Sequence, residues 1–305
     1  MNFVILNYTQ LLAVVPQANV LTTVFLPIAL GIIMLGLGLS LTLADFKRVV
    51  LFPKAVVVGL VCQMLILPVI CFFIARVFNL PPALAVGLML LAASPGGATA
   101  NLFSHLAKGD VALNITLTAI NSIVTLITLP FIVNFSIGYF MNSGEVVPMQ
   151  FKKIIEVFAI VLIPVALGMW VHYKSPKTSV ALDKPIRLLS ALFLVLIIVA
   201  AILREKANIL NYFEQVGIAA LVFNVASMCI GYYVPRMLNL SKKQSVAIGM
   251  EIGIHNGTLA IYIALNVIGN SVMSISPAIY SIIMFFTAAI FGFIVNKTSN
   301  NEPEN

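Results

Sequence analysis

A glutamate and a histidine stand together in a stretch that is otherwise apolar, "AIGMEIGIHNGTLAIYIAL", residues 247–265. Glu251 and His255 are four residues apart, so they would share one face of a helix. A carboxylate and an imidazole at this spacing can bind a cation, exchange a proton or hold a transition metal. Asn256 and Gly257 follow at once, and glycine weakens a helix. The polar group therefore coincides with a predicted helix interruption.

The composition places this group inside a membrane. Of the 305 residues, 61% are hydrophobic and 9% are charged, and the mean hydropathy of +1.09 is far above that of soluble domains. A charge at the centre of a bilayer costs about 3 kcal/mol or more. Glu251 is therefore expected to meet something polar and to avoid lipid.

The chain contains nine apolar stretches of about 20 residues, the length that crosses a bilayer. We predict an all-α polytopic membrane protein with a transmembrane domain at 21–296 and a cytoplasmic tail at 297–305. Residues 1–20 are too polar to span a bilayer comfortably and are broken by Pro16, which predicts a short interfacial segment and leaves a tenth span open. The nine predicted spans are 21–43, 55–78, 82–107, 111–136, 150–173, 186–203, 213–236, 243–268 and 274–296.

Lysine and arginine in the loops predict the orientation, because cytoplasmic loops carry an excess of both. With the amino terminus outside, 12 of these residues fall on the cytoplasmic side and 5 on the other. The carboxyl terminus is then cytoplasmic. The cytoplasmic set is Lys47, Arg48, Lys54, Lys108, Lys174, Lys177, Lys184, Arg187, Arg236, Lys242, Lys243 and Lys297, and the outer set is Arg76, Lys152, Lys153, Arg204 and Lys206.

A second interruption, "SPGGAT" at 94–99, lies in the third predicted span. Proline and two adjacent glycines should unwind a helix there. The repeat halves are predicted at about 21–136 and 150–296. Each interrupted span is third in a set of four, the first four spans and the last four. Because the span at 150–173 lies between the two sets, the repeats are predicted to be inverted. Paired broken spans in inverted halves point to the binding site of a secondary transporter.

Other polar residues inside the spans suit a small cation. In the fourth span, Asn114 and Thr118 share a helix face, which Asn121 and Ser122 continue. Oxygen ligands are those preferred by hard cations. Amino ends of half-helices carry partial positive charge and suit an anionic substrate group. The remaining polar candidates are Gln63, Thr99, Asn101 and Thr116.

Three other classes of protein fit the sequence less well than a transporter of this kind. A metal-coupled transporter or an intramembrane metalloenzyme could use Glu251 and His255, but "EIGIH" is not the two-histidine zinc motif. A passive channel would not require broken helices in corresponding positions. No Walker motif occurs, which argues against an ATP-driven pump.

The two interruptions also carry a resemblance. "ASPGGATANLFSHLAKGDVAL" and "EIGIHNGTLA", with "GIIMLGLGLSL" and "IPVALGMW", resemble the bile acid:sodium symporter family of sodium/bile acid cotransporter-like transporters. The resemblance implies two inverted five-helix repeats, with the first helix reduced here so that nine spans remain. It also implies a core domain holding two crossing discontinuous helices, and a panel domain.

The resemblance further implies two sodium ions. This sequence departs from the family pattern at three positions. Ala100 stands where the family commonly has Ser, Asn114 where it often has Ser, and His255 where it has Gln. Imidazole offers a nitrogen in place of an amide oxygen and titrates near neutral pH, so proton coupling at His255 is a further hypothesis. The implied first site comprises Asn101, Asn114, Thr118 and Glu251, and the second Gln63, Glu251, Ile252, Ile254 and His255.

Together these observations predict a sodium-coupled symporter of organic anions, bile-acid-like or smaller carboxylates, that works by alternating access in the cytoplasmic membrane. The partners expected are the anion, sodium and the lipid bilayer, without nucleic acid or an obligatory protein partner, and no enzymatic activity is expected. The predicted substrate-binding residues at the half-helix ends are Gly96, Gly97, Ala98, Thr99, Asn256, Gly257 and Thr258.

Overall fold

The computed structural model describes residues 24–141 and 151–299, and all regular structure within them is helical. Two helices contain a short π-helical segment, Cys62–Ile66 in α3 and Ile263–Ile268 at the end of α11. The helices are α1 (Leu26–Ser40), α2 (Leu43–Leu51), α3 (Pro53–Val77), α4 (Pro82–Ala92), α5 (Ala100–Leu106), α6 (Val111–Phe140), α7 (Phe151–Lys174), α8 (Pro176–Arg204), α9 (Ile209–Met237), α10 (Lys242–Gly253), α11 (Gly257–Ile268) and α12 (Ile275–Ser299).

Local sequence explains where several helices begin. Pro53 and Pro176 open α3 and α8, where the missing proline N–H costs no hydrogen bond. Thr42 begins α2 with a capping box, and its backbone N–H donates to Asp45 (2.8 Å). This cap starts a new helix immediately after α1, and the two helix axes meet at 64°.

Each predicted span coincides with helix, but not always with one helix. Among the described residues, six helices are long and apolar enough to cross a membrane, or seven if the bent pair α1 and α2 is one span. The third and eighth predicted spans are each divided into two short helices, α4 with α5 and α10 with α11. The predicted segment 1–20 lies outside the described residues, and α12 extends to Ser299, beyond the predicted end at 296.

The two halves of the chain repeat the same turn before each broken span. Asn79 and Asn239 both have left-handed backbone conformation, with φ of 47° and 59°. In each turn the asparagine N–H donates to an arginine carbonyl three residues earlier, Arg76 (3.1 Å) and Arg236 (3.0 Å). The number of residues that separates Asn79 from Asn239 also separates the caps that follow the two broken spans. Asp110 accepts a hydrogen bond from the N–H of Leu113, and Asn270 accepts one from that of Met273.

Helix α1 packs mainly against α7 and α8, whereas α9 packs against α10 and α12. Glycine allows the first contact, because a Cβ on Gly38 would lie 2.8 Å from Cα of Val165 in α7. The second contact is as close, because a Cβ on Gly231 would lie 2.6 Å from Cα of Gly249 in α10. Small residues of this kind bring membrane helices together. They bring α9 close to the second interruption.

Candidate cation site at the helix crossover

The two helix interruptions lie against each other and pair as short antiparallel backbone segments. The N–H of Gly97 donates to the carbonyl oxygen of Ile254 (2.7 Å), and the N–H of Asn256 donates to that of Pro95 (2.8 Å). Each break thus satisfies backbone groups that the other has freed. Lipid could not do this, since it offers no hydrogen-bonding partners.

Glu251 lies fully buried in the last turn of α10, beside this crossover. Its Oε2 accepts a hydrogen bond from the Thr118 hydroxyl (2.6 Å), and its Oε1 accepts one from Nδ2 of Asn121 (3.1 Å). Both donors belong to α6 and are neutral. Within residues 24–141 and 151–299, no ion pair includes Glu251. The carboxylate is therefore solvated by dipoles alone, and a cation beside it would be strongly favoured.

The glycine pair of the first interruption makes room for this carboxylate. A Cβ on Gly96 would clash with Oε1 of Glu251 and lie 2.7 Å from Oε2. Only a residue without a side chain leaves the carboxyl group in this place. The sequence predicts that Gly96 unwinds the helix, and the structure adds that Gly96 forms one wall of the Glu251 pocket.

Several amide oxygens near the crossover are buried without a hydrogen-bond partner. Nδ2 of Asn114 donates to the carbonyl of Ala247 (2.8 Å), and its Oδ1 remains unpaired. Oδ1 of Asn101, Oδ1 of Asn121 and Oε1 of Gln63 are also buried and unpaired. An unpaired buried acceptor costs about 1–3 kcal/mol. Oxygen acceptors together with one carboxylate form a donor set that fits a hard cation such as sodium.

Asn121 contacts Glu251 but belongs to neither of the two predicted sodium sites. The sequence places it on the polar face with Asn114 and Thr118, but the resemblance does not include it among the sodium ligands. Its position one turn beyond Thr118 was the available signal. Its bond to Glu251 shows that the polar face of α6 is turned towards α10.

His255 lies at the second interruption and is held by a tyrosine on α12. Nδ1 of His255 lies 3.0 Å from the Tyr280 hydroxyl, which itself donates to the carbonyl of Gly253 (3.0 Å). When the hydroxyl donates to Gly253, its oxygen accepts from Nδ1–H of His255, and the lone pair of Nε2 is then free. Among the described residues, Nε2 is buried without a hydrogen-bond partner.

The remaining residues of the predicted second site lie in the same region. Nε2 of Gln63 donates to the carbonyl of Ser94 (2.9 Å), which links α3 to the first interruption. The carbonyl of Ile254 accepts the backbone N–H of Gly97, as described above, and Ile252 is buried in α10. In the described part of the chain, no three His, Cys, Asp or Glu side chains cluster as a metal site.

The predicted substrate-binding residues occupy the start of the two short helices that follow the breaks. Gly96, Gly97, Asn256, Gly257 and Thr258 are buried. Ala98 and Thr99 are half-buried. Oδ1 of Asn256 accepts the N–H of Leu259 (3.0 Å) and so caps α11.

Comparison with known proteins identifies relatives across most of the chain. The chain is 26% identical over 278 residues to a probable chloroplastic sodium/metabolite cotransporter of Arabidopsis thaliana, covering 91% of this chain and 68% of the plant protein. It is 28% identical over 294 residues to the ileal sodium/bile acid cotransporter of Homo sapiens, covering 92% of this chain and 83% of the human protein. An uncharacterized sodium-dependent transporter of Bacillus subtilis is 28% identical over 241 residues, covering 79% and 73%.

These relatives are named as transporters and not as enzymes, which agrees with the absence of an enzymatic motif in the sequence. A family model described as the sodium bile acid symporter family matches residues 27–212, which is more than half of the chain. The buried carboxylate and the crossing interruptions thus occur in a chain that belongs to the sodium bile acid symporter family.

Proposed function

We propose that this protein couples the entry of sodium to the transport of an organic anion by alternating access. The observation that carries the proposal is the buried Glu251 carboxylate, which lies at the antiparallel crossover and has only neutral partners. Membership of a sodium symporter family supplies the ion. Because the carboxylate lies on an element that moves, sodium bound to it would stabilise one arrangement of the helices.

In this proposal, the first sodium binds to Glu251 with oxygens of Asn101, Asn114 and Thr118. The unpaired Oδ1 atoms of the two asparagines support the assignment, because each lacks a hydrogen bond that a cation would replace. Asn121 would keep its bond to the other carboxylate oxygen. The ion would then tie α5, α6 and α10 together, so sodium stabilises the crossover.

The second sodium would bind between Gln63, Glu251 and His255, with the carbonyls of Ile252 and Ile254. Oε1 of Gln63 and Nε2 of His255 are both buried and unpaired, which supports this grouping. Nitrogen is a poorer ligand than oxygen for a hard cation. We therefore propose that this site is the weaker of the two.

The anionic group of the substrate would bind where α5 and α11 begin, at 96–99 and 256–258. In the described residues, the backbone N–H groups of Ala98 and Thr99 have no hydrogen-bond partner. Unpaired N–H groups at the start of a helix attract carboxylates. The substrate class would be bile-acid-like or smaller carboxylates, in keeping with the bile acid and metabolite cotransporters to which the chain is similar.

Alternating access would move two groups of helices against each other. The group of α1, α7 and α8, which pack together, would form the panel. The core that moves would consist of α4–α6 and α9–α12, which carry all proposed ligands except Gln63 on α3. Ion and anion would be coupled because both stabilise the same arrangement of the two breaks. The repeated turns at Asn79 and Asn239 support an inverted repeat of this kind.

The arrangement in the membrane follows from the same proposal. The protein would lie in the cytoplasmic membrane and cross it nine times. Its amino terminus would be outside and its carboxyl terminus in the cytoplasm. The short helices α4 with α5 and α10 with α11 would each count as one interrupted span. The excess of lysine and arginine in the cytoplasmic loops supports this orientation.

A melting experiment tests the sodium site directly. Purified protein in detergent is titrated with sodium chloride, with potassium chloride at equal ionic strength as the control. We expect the melting temperature to rise with sodium only, because a ligand that binds the folded state stabilises it. Equal responses to the two salts, or a response to zinc or to acid alone, would contradict sodium coupling.

Replacing His255 with Gln tests the second site. Because the amide oxygen of Gln is a better sodium ligand than an imidazole nitrogen, we expect His255→Gln to lower the half-saturating sodium concentration in the same melting titration. His105→Gln serves as the control, since His105 is exposed on α5. If His255→Gln leaves the sodium dependence unchanged or weakens it, His255 is not a sodium ligand.

A further inference from the structure

The two interruptions leave carbonyl groups that are held in the same way by two buried amide side chains. Nε2 of Gln63 on α3 donates to the carbonyl of Ser94 at the first interruption (2.9 Å). Nδ2 of Asn224 on α9 donates to the carbonyl of Gly253 at the second (2.8 Å). Both side chains are almost completely buried. Each break is therefore held by an amide from the helix before the broken span, α3 for the first break and α9 for the second.

The two amides correspond to each other in the repeat. Helices α3 and α9 end in the matched turns at Asn79 and Asn239. The offset that superposes these turns relates Gln63 to Asn224 to within one residue, and it relates the carbonyl of Ser94 to that of Gly253 equally well. The braces thus lie at corresponding places in the two halves to within one residue, although one is Gln and the other Asn.

The two braces differ in their remaining oxygen atom. Oε1 of Gln63 has no partner and can accept a cation. Oδ1 of Asn224 contacts the hydroxyl of Thr287 on α12. Because the carbonyl of Gly253 can only accept, Nδ2 of Asn224 faces Gly253 and Oδ1 faces Thr287. The Asn224 oxygen therefore already has a neighbour on α12, whereas Oε1 of Gln63 has none.

The carbonyl that Asn224 holds belongs to the residue two positions after Glu251. The hydroxyl of Tyr280 donates to the same carbonyl (3.0 Å), so both of its lone pairs are used. These bonds attach the end of α10 to α9 and α12. They fix the direction in which the chain leaves α10, and with it the position of the carboxylate.

We propose that Asn224 is a positioning residue for the sodium site at Glu251. Asn224 touches no ion. It keeps the second break in the conformation that presents Glu251 to sodium, whereas its counterpart Gln63 braces the first break and keeps an oxygen for the ion. This inference rests on the proposed function, namely sodium binding at Glu251.

The test is the sodium titration of the melting temperature, with sodium chloride alone as the ligand and the Asn224→Leu and Asn224→Asp variants. Leu keeps the branched shape of Asn but is larger and has no donor, and ionised Asp keeps both shape and size without a donor. For both we expect the half-saturating sodium concentration to rise about tenfold, the effect of losing one well-placed hydrogen bond. Asn211→Leu is the matched control, because Asn211 is exposed on the same helix and its side chain accepts a hydrogen bond from Gln215.

A purely structural role would lower the melting temperature without sodium and leave the half-saturating concentration at the wild-type value. That result would overturn the proposal. If the Asn224 variants do not fold, the Thr287→Val variant replaces them in the titration, because it removes the hydroxyl that contacts Oδ1 of Asn224. We expect it to raise the half-saturating concentration severalfold, and an unchanged value would overturn the proposal. A wild-type protein without any sodium response would overturn the proposed function as well. A normal wild-type response together with unchanged half-saturating concentrations in the variants would reject only the role of Asn224.

Discussion

Replacing Glu251 with Ala is expected to abolish sodium-dependent uptake by proteoliposomes that contain the purified protein. Glu251 is the only charged residue among the proposed sodium ligands. A unit charge about 4 Å from an ion contributes about 4 kcal/mol at an effective dielectric constant of about 20, which corresponds to roughly 1,000-fold in affinity. Uptake of a labelled bile acid and of labelled short carboxylates, driven by an inward sodium gradient, would measure the loss.

Two further variants separate the charge from other effects of the substitution. Glu251→Gln keeps an acceptor for Thr118 or Asn121 but removes the charge, so we expect it to be inactive too. Glu156→Gln is the control, because Glu156 is half-exposed on α7 and pairs with Lys153 (3.5 Å). Sodium-driven uptake by Glu251→Ala at the wild-type rate would rule out the proposed ion site.

Replacing Gly96 with Ala is expected to reduce sodium binding at least tenfold while the protein still folds. The new methyl group would occupy the space of the Glu251 carboxylate, which is held on its other side by Thr118 and Asn121. Overpacking of this kind costs about 1–3 kcal/mol, or about tenfold to a hundredfold in an equilibrium constant. Because the displaced group is the proposed ligand itself, we expect the change mainly in the half-saturating sodium concentration.

Gly138 offers a matched control for this substitution. Gly138 lies in α6, and no atom is within 4 Å of the position that a Cβ would take. Gly138→Ala should leave sodium binding unchanged and could add up to about 1 kcal/mol of helix stability. If Gly96→Ala binds sodium as well as Gly138→Ala does, the carboxylate does not need the space beside Gly96, and the proposed geometry is wrong.

Both predictions concern positions that the sequence already marks. Glu251 is conspicuous because it interrupts an apolar run and no basic residue lies in the middle of a predicted span, and Gly96 because it follows a proline in a predicted helix. The location of both interruptions is confirmed by the division of the third and eighth predicted spans into α4 with α5 and α10 with α11. The count of nine spans stays a prediction, since six or seven helices satisfy the length and hydropathy required.

Properties that depend on one helix at a time were accessible to sequence reasoning, because they follow from the helical period and from residue type. The shared face of Asn114, Thr118 and Asn121 is such a property. The family resemblance added the grouping of these residues with Glu251, and the structure brings Thr118 and Asn121 within hydrogen-bonding distance of its carboxylate. The remaining ligand assignments are proposals that the sodium titrations test.

What the sequence by itself determined is a helical membrane protein with two paired interruptions, one buried carboxylate and a polar face on α6. Only the tertiary structure decided that the interruptions pair as antiparallel backbone, that Tyr280 holds His255, and that Asn224 braces Gly253. These contacts join residues far apart in the chain. They depend on the rotation and axial position of each helix, and close packing at small residues sets both, as where Gly231 meets Gly249.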